Sequence, residues 1–158
     1  MEAAVPTSPH RLLPARPTTY RGIRMRSRLE ADFARWLDGP ASPWRAKGYA
    51  WAYEPECFAD ERAQYLPDFR LTATGKPTQY IEVKPISFAG GEGEAHLLAG
   101  TIHRMETIWS SCPDAILVLV FWEWQEDGPS AFLLGWPGSH EWWLRDIDGR
   151  TYQFPKAG

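Results

Sequence analysis

Leu66-Pro67-Asp68-Phe69, followed by Tyr80-Ile81-Glu82-Val83-Lys84-Pro85, decides how this chain is read. Between the two segments lies Thr72-Ala73-Thr74-Gly75-Lys76-Pro77, a run of turn formers, and a loop centred on Gly75 predicts a two-stranded hairpin. In that register Asp68 faces Glu82, Phe69 faces Ile81 and Pro67 faces Val83. One face is then acidic and its reverse apolar, as strand alternation requires of a half-buried hairpin. Lys84 shares the acidic face just beyond Glu82.

Directly opposed carboxylates have Cβ atoms about 5 Å apart, and like charges in that geometry are destabilising unless something positive sits between them. A divalent cation is the natural occupant. Hard oxygen donors favour Mg²⁺ or Mn²⁺ over zinc, and Mg²⁺ held by one or two carboxylates keeps waters and engages phosphate. Such an ion polarises a phosphoryl oxygen and acidifies a bound water. Lys84 is placed to orient that water or steady developing negative charge. The plainer alternative is a solvated hairpin face with a cross-strand ion pair, which any one of the three residues alone would suggest.

Pro67-Asp68 with Glu82-Val83-Lys84 resembles the signature of the PD-(D/E)XK nuclease superfamily. Upstream, Tyr20-Arg21-Gly22 and Arg26-Ser27-Arg28-Leu29-Glu30 resemble the first helix of its small phage and transposon-end-cleaving endonucleases, and Trp51-Ala52-Tyr53-Glu54-Pro55-Glu56 the strand that follows. The resemblance spans roughly residues 20 to 121. It implies an α/β fold with a restriction-endonuclease-like αβββαβ core, a central mixed sheet and, here, extra C-terminal strands. The implied activity is hydrolysis of DNA phosphodiester bonds. Asp68, Glu82 and the Val83 carbonyl match the metal ligands, Lys84 the catalytic lysine, and Glu30 the first-helix acid that joins the metal site. A Gln and Tyr four apart on the later helix, carried by the recombination-exonuclease branch, are not found in this sequence.

Glu30 also has a structural role open to it. Ser27-Arg28-Leu29-Glu30 reads as a capping box, with Leu29, Phe33, Trp36 and Leu37 as an apolar stripe at helical spacing and Gly39-Pro40 as the stop. Both roles stay open at this stage.

The net charge of −3 conceals an asymmetry. Residues 1–50 carry nine Arg or Lys against four Asp or Glu, whereas residues 51–158 carry eight against sixteen. Arg21, Arg24 and Arg26, with Ser27, are therefore candidate contacts to DNA phosphates, beside Arg11, Arg16 and Arg28. The other reading is an ordinary basic arm. Residues 1–19, with four prolines, are expected to be irregular, and residues 20–158 to form a single nuclease-like domain.

Nine tryptophans, more than half of them in the last third, are expected to fill the core and hairpin faces, with base stacking or a protein interface as the alternative. Cys57 and Cys112 suit free thiols in a reducing cytoplasm, and no secretory signal is read at the start. The apolar run from Ala115 to Trp122 is too short to span a membrane and suits a buried central strand. A helix is expected from about Ala95 to Ser110, with Leu98, Ile102, Met105 and Trp109 on one side and His96 and His103 as surface or substrate-facing residues. Aromatic strands are expected over Ala131–Trp136, Glu141–Ile147 and Arg150–Phe154. DNA is the expected partner. A second copy of the chain or a specificity-giving protein is left open, as is a non-enzymatic DNA-binding or assembly module that keeps the fold.

Overall fold

A computed structural model of the chain describes residues 16–61, 63–85, 92–123, 127–146 and 149–154. It is a mixed α/β structure built on one large mixed sheet with few helices. The expectations for residues 1–15 lie outside the described residues. Strand β1 (Thr18–Tyr20) pairs antiparallel with β2 (Ile23–Met25), so regular structure begins just inside the stretch expected to be irregular. Tyr20-Arg21-Gly22, grouped with the first helix by resemblance, instead makes the turn of this hairpin, with φ of 52° at Arg21 and 79° at Gly22.

Half of the capping box is realised in helix α1 (Arg28–Leu37), where the Glu30 N–H donates to Ser27 Oγ at 3.2 Å while the Glu30 side chain reaches back to the Ser27 hydroxyl. Ala31, Phe33, Ala34 and Leu37 are buried, while Leu29 and Trp36 pack at the edge of the same cluster. The Gly39 N–H donates to the Trp36 carbonyl and closes the helix. A single turn, α2 (Pro43–Ala46), then leads into strand β3 (Ala50–Tyr53). A minimal hairpin of β4 (Phe58–Ala59) and β5 (Gln64–Tyr65) precedes β6 (Phe69–Thr72) and β7 (Gln79–Lys84). Helix α3 (Glu92–Met105) runs on into a 3-10 turn (Glu106–Ser110), dividing what the periodicity read as one helix. Strands β8 (Ile116–Phe121), β9 (Ala131–Gly135), β10 (Trp142–Asp146) and β11 (Thr151–Phe154) complete the chain.

Seven strands form the main sheet in the order β11-β10-β9-β8-β7-β6-β3. All its pairs are antiparallel except β7 with β8, whose connection carries α3. Alternation along β8 sorts the helices onto opposite faces. Leu117, Leu119 and Phe121 pack with Leu98, Ile102 and Met105 of α3. Val118 and Val120 pack with Phe33 and Leu37 of α1, together with Phe69 and Ile81. Burial on both faces is why this strand reads as an unbroken apolar run.

The tryptophans divide as large aromatics should. Trp44, Trp109, Trp122 and Trp142 are buried, and Trp136 is 40% exposed. Trp142 lies directly across from Gly135, where an added Cβ would fall 2.7 Å from the indole Cε2 and Cζ2. Gly135 thus makes room for a fully buried ring. Gly135→Ala is expected to lower stability by about 1–3 kcal/mol, the usual cost of overpacking, which in a domain of this size is a drop of several degrees in Tm. A thermal melt checks it, and an unchanged Tm would mean that the indole repacks freely.

Candidate functional site

Over Phe69–Leu71 the hairpin register is as its turn chemistry implies, but the expected pairs of Asp68 with Glu82 and Pro67 with Val83 are not part of the ladder, because the Asp68 N–H goes to Ile81 and the Val83 N–H to the Asp68 side chain. Phe69 pairs with Ile81, Arg70 with Tyr80 and Leu71 with Gln79, and Gly75 takes φ +74° in the connecting loop. Asp68 stands just before β6 and is tied on both sides by backbone. Its N–H donates to the Ile81 carbonyl at 3.0 Å, and its carbonyl accepts from Glu54 N–H at 2.8 Å. The side chain turns back onto β7, where Oδ2 accepts from the Val83 N–H at 2.8 Å. Extended backbone aims a residue's N–H and C=O to the same side, so the Val83 carbonyl opens toward the Asp68 side of β7. The Lys84 carbonyl turns the other way and accepts from Trp122 N–H.

Glu82 and Lys84 project from the same face of β7, and Lys84 Nζ lies 3.4 Å from Glu82 Oε2. The second Glu82 oxygen, Oε1, accepts from the Tyr65 hydroxyl at 2.6 Å. Arg26 joins the cluster from the segment before α1. Its Nη2 is 3.2 Å from Asp68 Oδ1, and its Nε is 2.6 Å from Glu54 Oε2 and 3.9 Å from Glu30 Oε1. The contact to the buried Glu54 Oε2 is one of charge, without hydrogen-bond alignment. Glu30 Oε1 accepts from the Tyr53 hydroxyl, and Oε2 from Ser27 Oγ at 3.2 Å.

Four carboxylates, from Glu30, Glu54, Asp68 and Glu82, are thereby drawn around one arginine and one lysine. Asp68 is only 3% exposed. Burial, then the charges of Glu82 and Glu30, hold its carboxyl well above the usual carboxylate range, against the pull of the Val83 N–H and Arg26. Tyr65 is likewise raised well above its ordinary value by burial and by the Glu82 charge. Tyr53 is pushed up to about 12 by burial and by its hydrogen bond to Glu30. Both phenols therefore stay protonated and donate to the acids they face.

The donors fit a hard divalent cation of the Mg²⁺ or Mn²⁺ type. Asp68 is buried and Glu82 nearly so, the Glu82 charge opposes ionisation of Asp68, and a backbone carbonyl lies beside them. Among the described residues no three His, Cys, Asp or Glu side chains gather tightly enough to hold a metal ion by themselves. The fit is therefore to the mode in which one or two carboxylates bind and water completes the shell. Glu30 acts on Asp68 through its charge, and its two oxygens accept from Tyr53 and Ser27.

The sequence-derived DNA contacts take different positions. Arg21 pairs with Asp38 at 3.0 Å, Arg24 is exposed, Ser27 caps α1, and Arg26 is drawn into the acids. His103 is exposed, and the His96 side chain lies outside the described residues. A separate pocket lined by Glu106, Trp109, Ser110 and His140 contains none of these residues. Sequence reading missed Glu54, Tyr65 and the inward turn of Arg26. Glu54 carried one signal, an acid directly after an apolar strand, while Tyr65 had only its proximity to Asp68. Comparison with protein-family models, curated proteins and solved structures found no match for this chain.

Proposed function

We propose that this chain is a metal-dependent deoxyribonuclease of the PD-(D/E)XK type, cutting DNA internally. The observation that carries the reading is the convergence of buried Asp68 with Glu82 and Lys84 on adjacent strands, Lys84 Nζ lying 3.4 Å from Glu82 Oε2. The order α1, β3, β6, β7, α3, β8 supports a restriction-endonuclease-like αβββαβ core. In this reading β1–β2 and β4–β5 are additions and β9–β11 extend the sheet.

Asp68, Glu82 and the Val83 carbonyl would hold the ion. Bound Mg²⁺ or Mn²⁺ supplies Lewis acidity at a phosphoryl oxygen and an acidified water. Tyr65 would fix the Glu82 carboxylate by a neutral hydrogen bond to Oε1. The Lys84 ammonium donates to the attacking water or to the oxygen where charge develops. Exposed Arg24 and Arg28 would meet phosphates and add no sequence readout.

A second reading has one observation in its favour. Arg26 already partly neutralises Glu30, Glu54 and Asp68, as a domain relieved of catalysis would require. That reading is a non-enzymatic DNA-binding or assembly module. No helix among the described residues is long and apolar enough to cross a membrane, so nothing in either reading calls on one.

The test is incubation of purified protein with supercoiled, linear and branched DNA in Mg²⁺, Mn²⁺ or EDTA. Metal-dependent nicking or cutting that EDTA stops is expected. Folded protein that binds these DNAs and cuts none of them in either metal would overturn the enzyme reading in favour of the second.

A further inference from the structure

Of the two Asp68 carboxylate oxygens, Oδ2 is committed to the Val83 N–H at 2.8 Å, and Oδ1 is held by Arg26 Nη2 at 3.2 Å. A Mg²⁺ ion takes a carboxylate oxygen at about 2.0–2.1 Å. A guanidinium on the same oxygen would press two cations together. The geometry points to Arg26 as a built-in counter-cation that a divalent metal displaces from Asp68. This rests on the metal-site reading above and adds to it a residue that sets how tightly metal binds.

Three features give the side chain a defined exchange. Its Nε stands closer to Glu54, at 2.6 Å, than its Nη2 does to Asp68, so the Glu54 contact can outlast the loss of Asp68. The side chain is 60% exposed, which leaves Nη2 open solvent to move into. The main chain stays fixed, because the Arg26 N–H donates to the Tyr53 hydroxyl at 2.9 Å and Ser27 is the helix cap. Arg26 thus relieves repulsion among Glu30, Glu54 and Asp68 before metal arrives, and metal binding must first undo its contact with Asp68. Binding-competent protein is then a fraction of the total, and the apparent affinity falls by that fraction.

The experiment measures Mn²⁺ affinity by titration calorimetry, and Tm in EDTA and in Mn²⁺, for the wild type, Arg26→Ala and Arg26→Gln. Arg26→Gln keeps a hydrogen-bonding amide without charge and carries the test where Arg26→Ala does not fold in EDTA. Both variants should melt lower than wild type in EDTA. Both should bind Mn²⁺ about tenfold more tightly, a coupling of ordinary size for two sites that oppose each other, and gain more in Tm from the metal. A purely structural Arg26 would lower the Tm and leave the affinity alone. A folded variant whose Mn²⁺ affinity is unchanged or weaker overturns the exchange and leaves the metal site standing. Absence of Mn²⁺ binding in wild type and both variants overturns both.

Discussion

Lys84→Ala is expected to lower DNA cleavage by at least about a hundredfold, the lower end of what a positioned proton donor contributes. Lys84 ends β7 and is paired with Phe121 on β8, so its backbone is fixed whatever side chain it carries. Its side chain is 28% exposed, and its ammonium meets only the Glu82 carboxylate among the ion pairs of the hairpin. Removing it takes away the cation beside Glu82, but that carboxylate is partly exposed and keeps the Tyr65 hydroxyl as a hydrogen-bond donor. The variant should therefore fold and bind Mn²⁺ much as wild type does while cutting is lost. Cleavage at the wild-type rate by a folded, contaminant-free preparation would remove Lys84 from the chemistry.

The second large effect is expected at Asp68, where stability and metal binding change in opposite directions. In EDTA, Asp68→Asn should melt higher than wild type. Burial and the Glu82 and Glu30 charges make an ionised Asp68 unfavourable in the fold, and an asparagine oxygen still accepts the Val83 N–H. Opposed like charges are worth about 0.2–1 kcal/mol, a shift of a few degrees at most in a domain of this size. The pH dependence follows from the raised carboxyl. A group that holds its proton more tightly when folded costs stability as pH rises from the ordinary carboxylate value, about 4, through its raised value, and the full cost persists above that. The difference between the two proteins should thus widen as pH rises above about 4 and close as pH falls toward it. With saturating Mg²⁺ or Mn²⁺ the order should reverse, since a ligand at a hundred times its Kd adds about 2.7 kcal/mol to a native state that binds it. Calorimetry of both proteins, with and without metal, reads all of this. A wild type that gains nothing from metal and melts no lower than Asp68→Asn in EDTA would leave the acid pair without an ion to hold.

The parts legible in the sequence are those fixed by neighbours along the chain. The Gly75 loop set the pairing of Phe69 with Ile81, and Ser27 with Glu30 set the first turn of α1. The apolar run around β8 marked a strand covered on both faces. What stayed hidden depends on distant packing. Arg26 reads as one more arginine in a basic arm, and only its approach to Asp68, 42 positions away, turns it inward. Tyr65 is seen to matter only once β5 is folded against Glu82. The β1–β2 hairpin escaped for a local reason, since its turn puts Arg21 at positive φ, where Asn, Asp or Gly is the usual sign. Helix α3 was expected to start at Ala95, past the glycines, yet begins at Glu92 and includes Gly93.

The one parallel joint in the sheet bears on what a fragment of this protein would be. Every side chain of the acid cluster comes from residues 26 to 84, and β8 to β11 contribute none. Strand β8 nevertheless covers β7 along its whole length, from Gln79 opposite Ile116 to Lys84 opposite Phe121. A chain ending after Lys84 would keep each of those side chains and leave β7 as a bare edge, its row of N–H and C=O groups open to another molecule. The C-terminal half therefore moves the open edge of the sheet away from the cluster to β11, and the strand laid against β7 matches it in length at six residues.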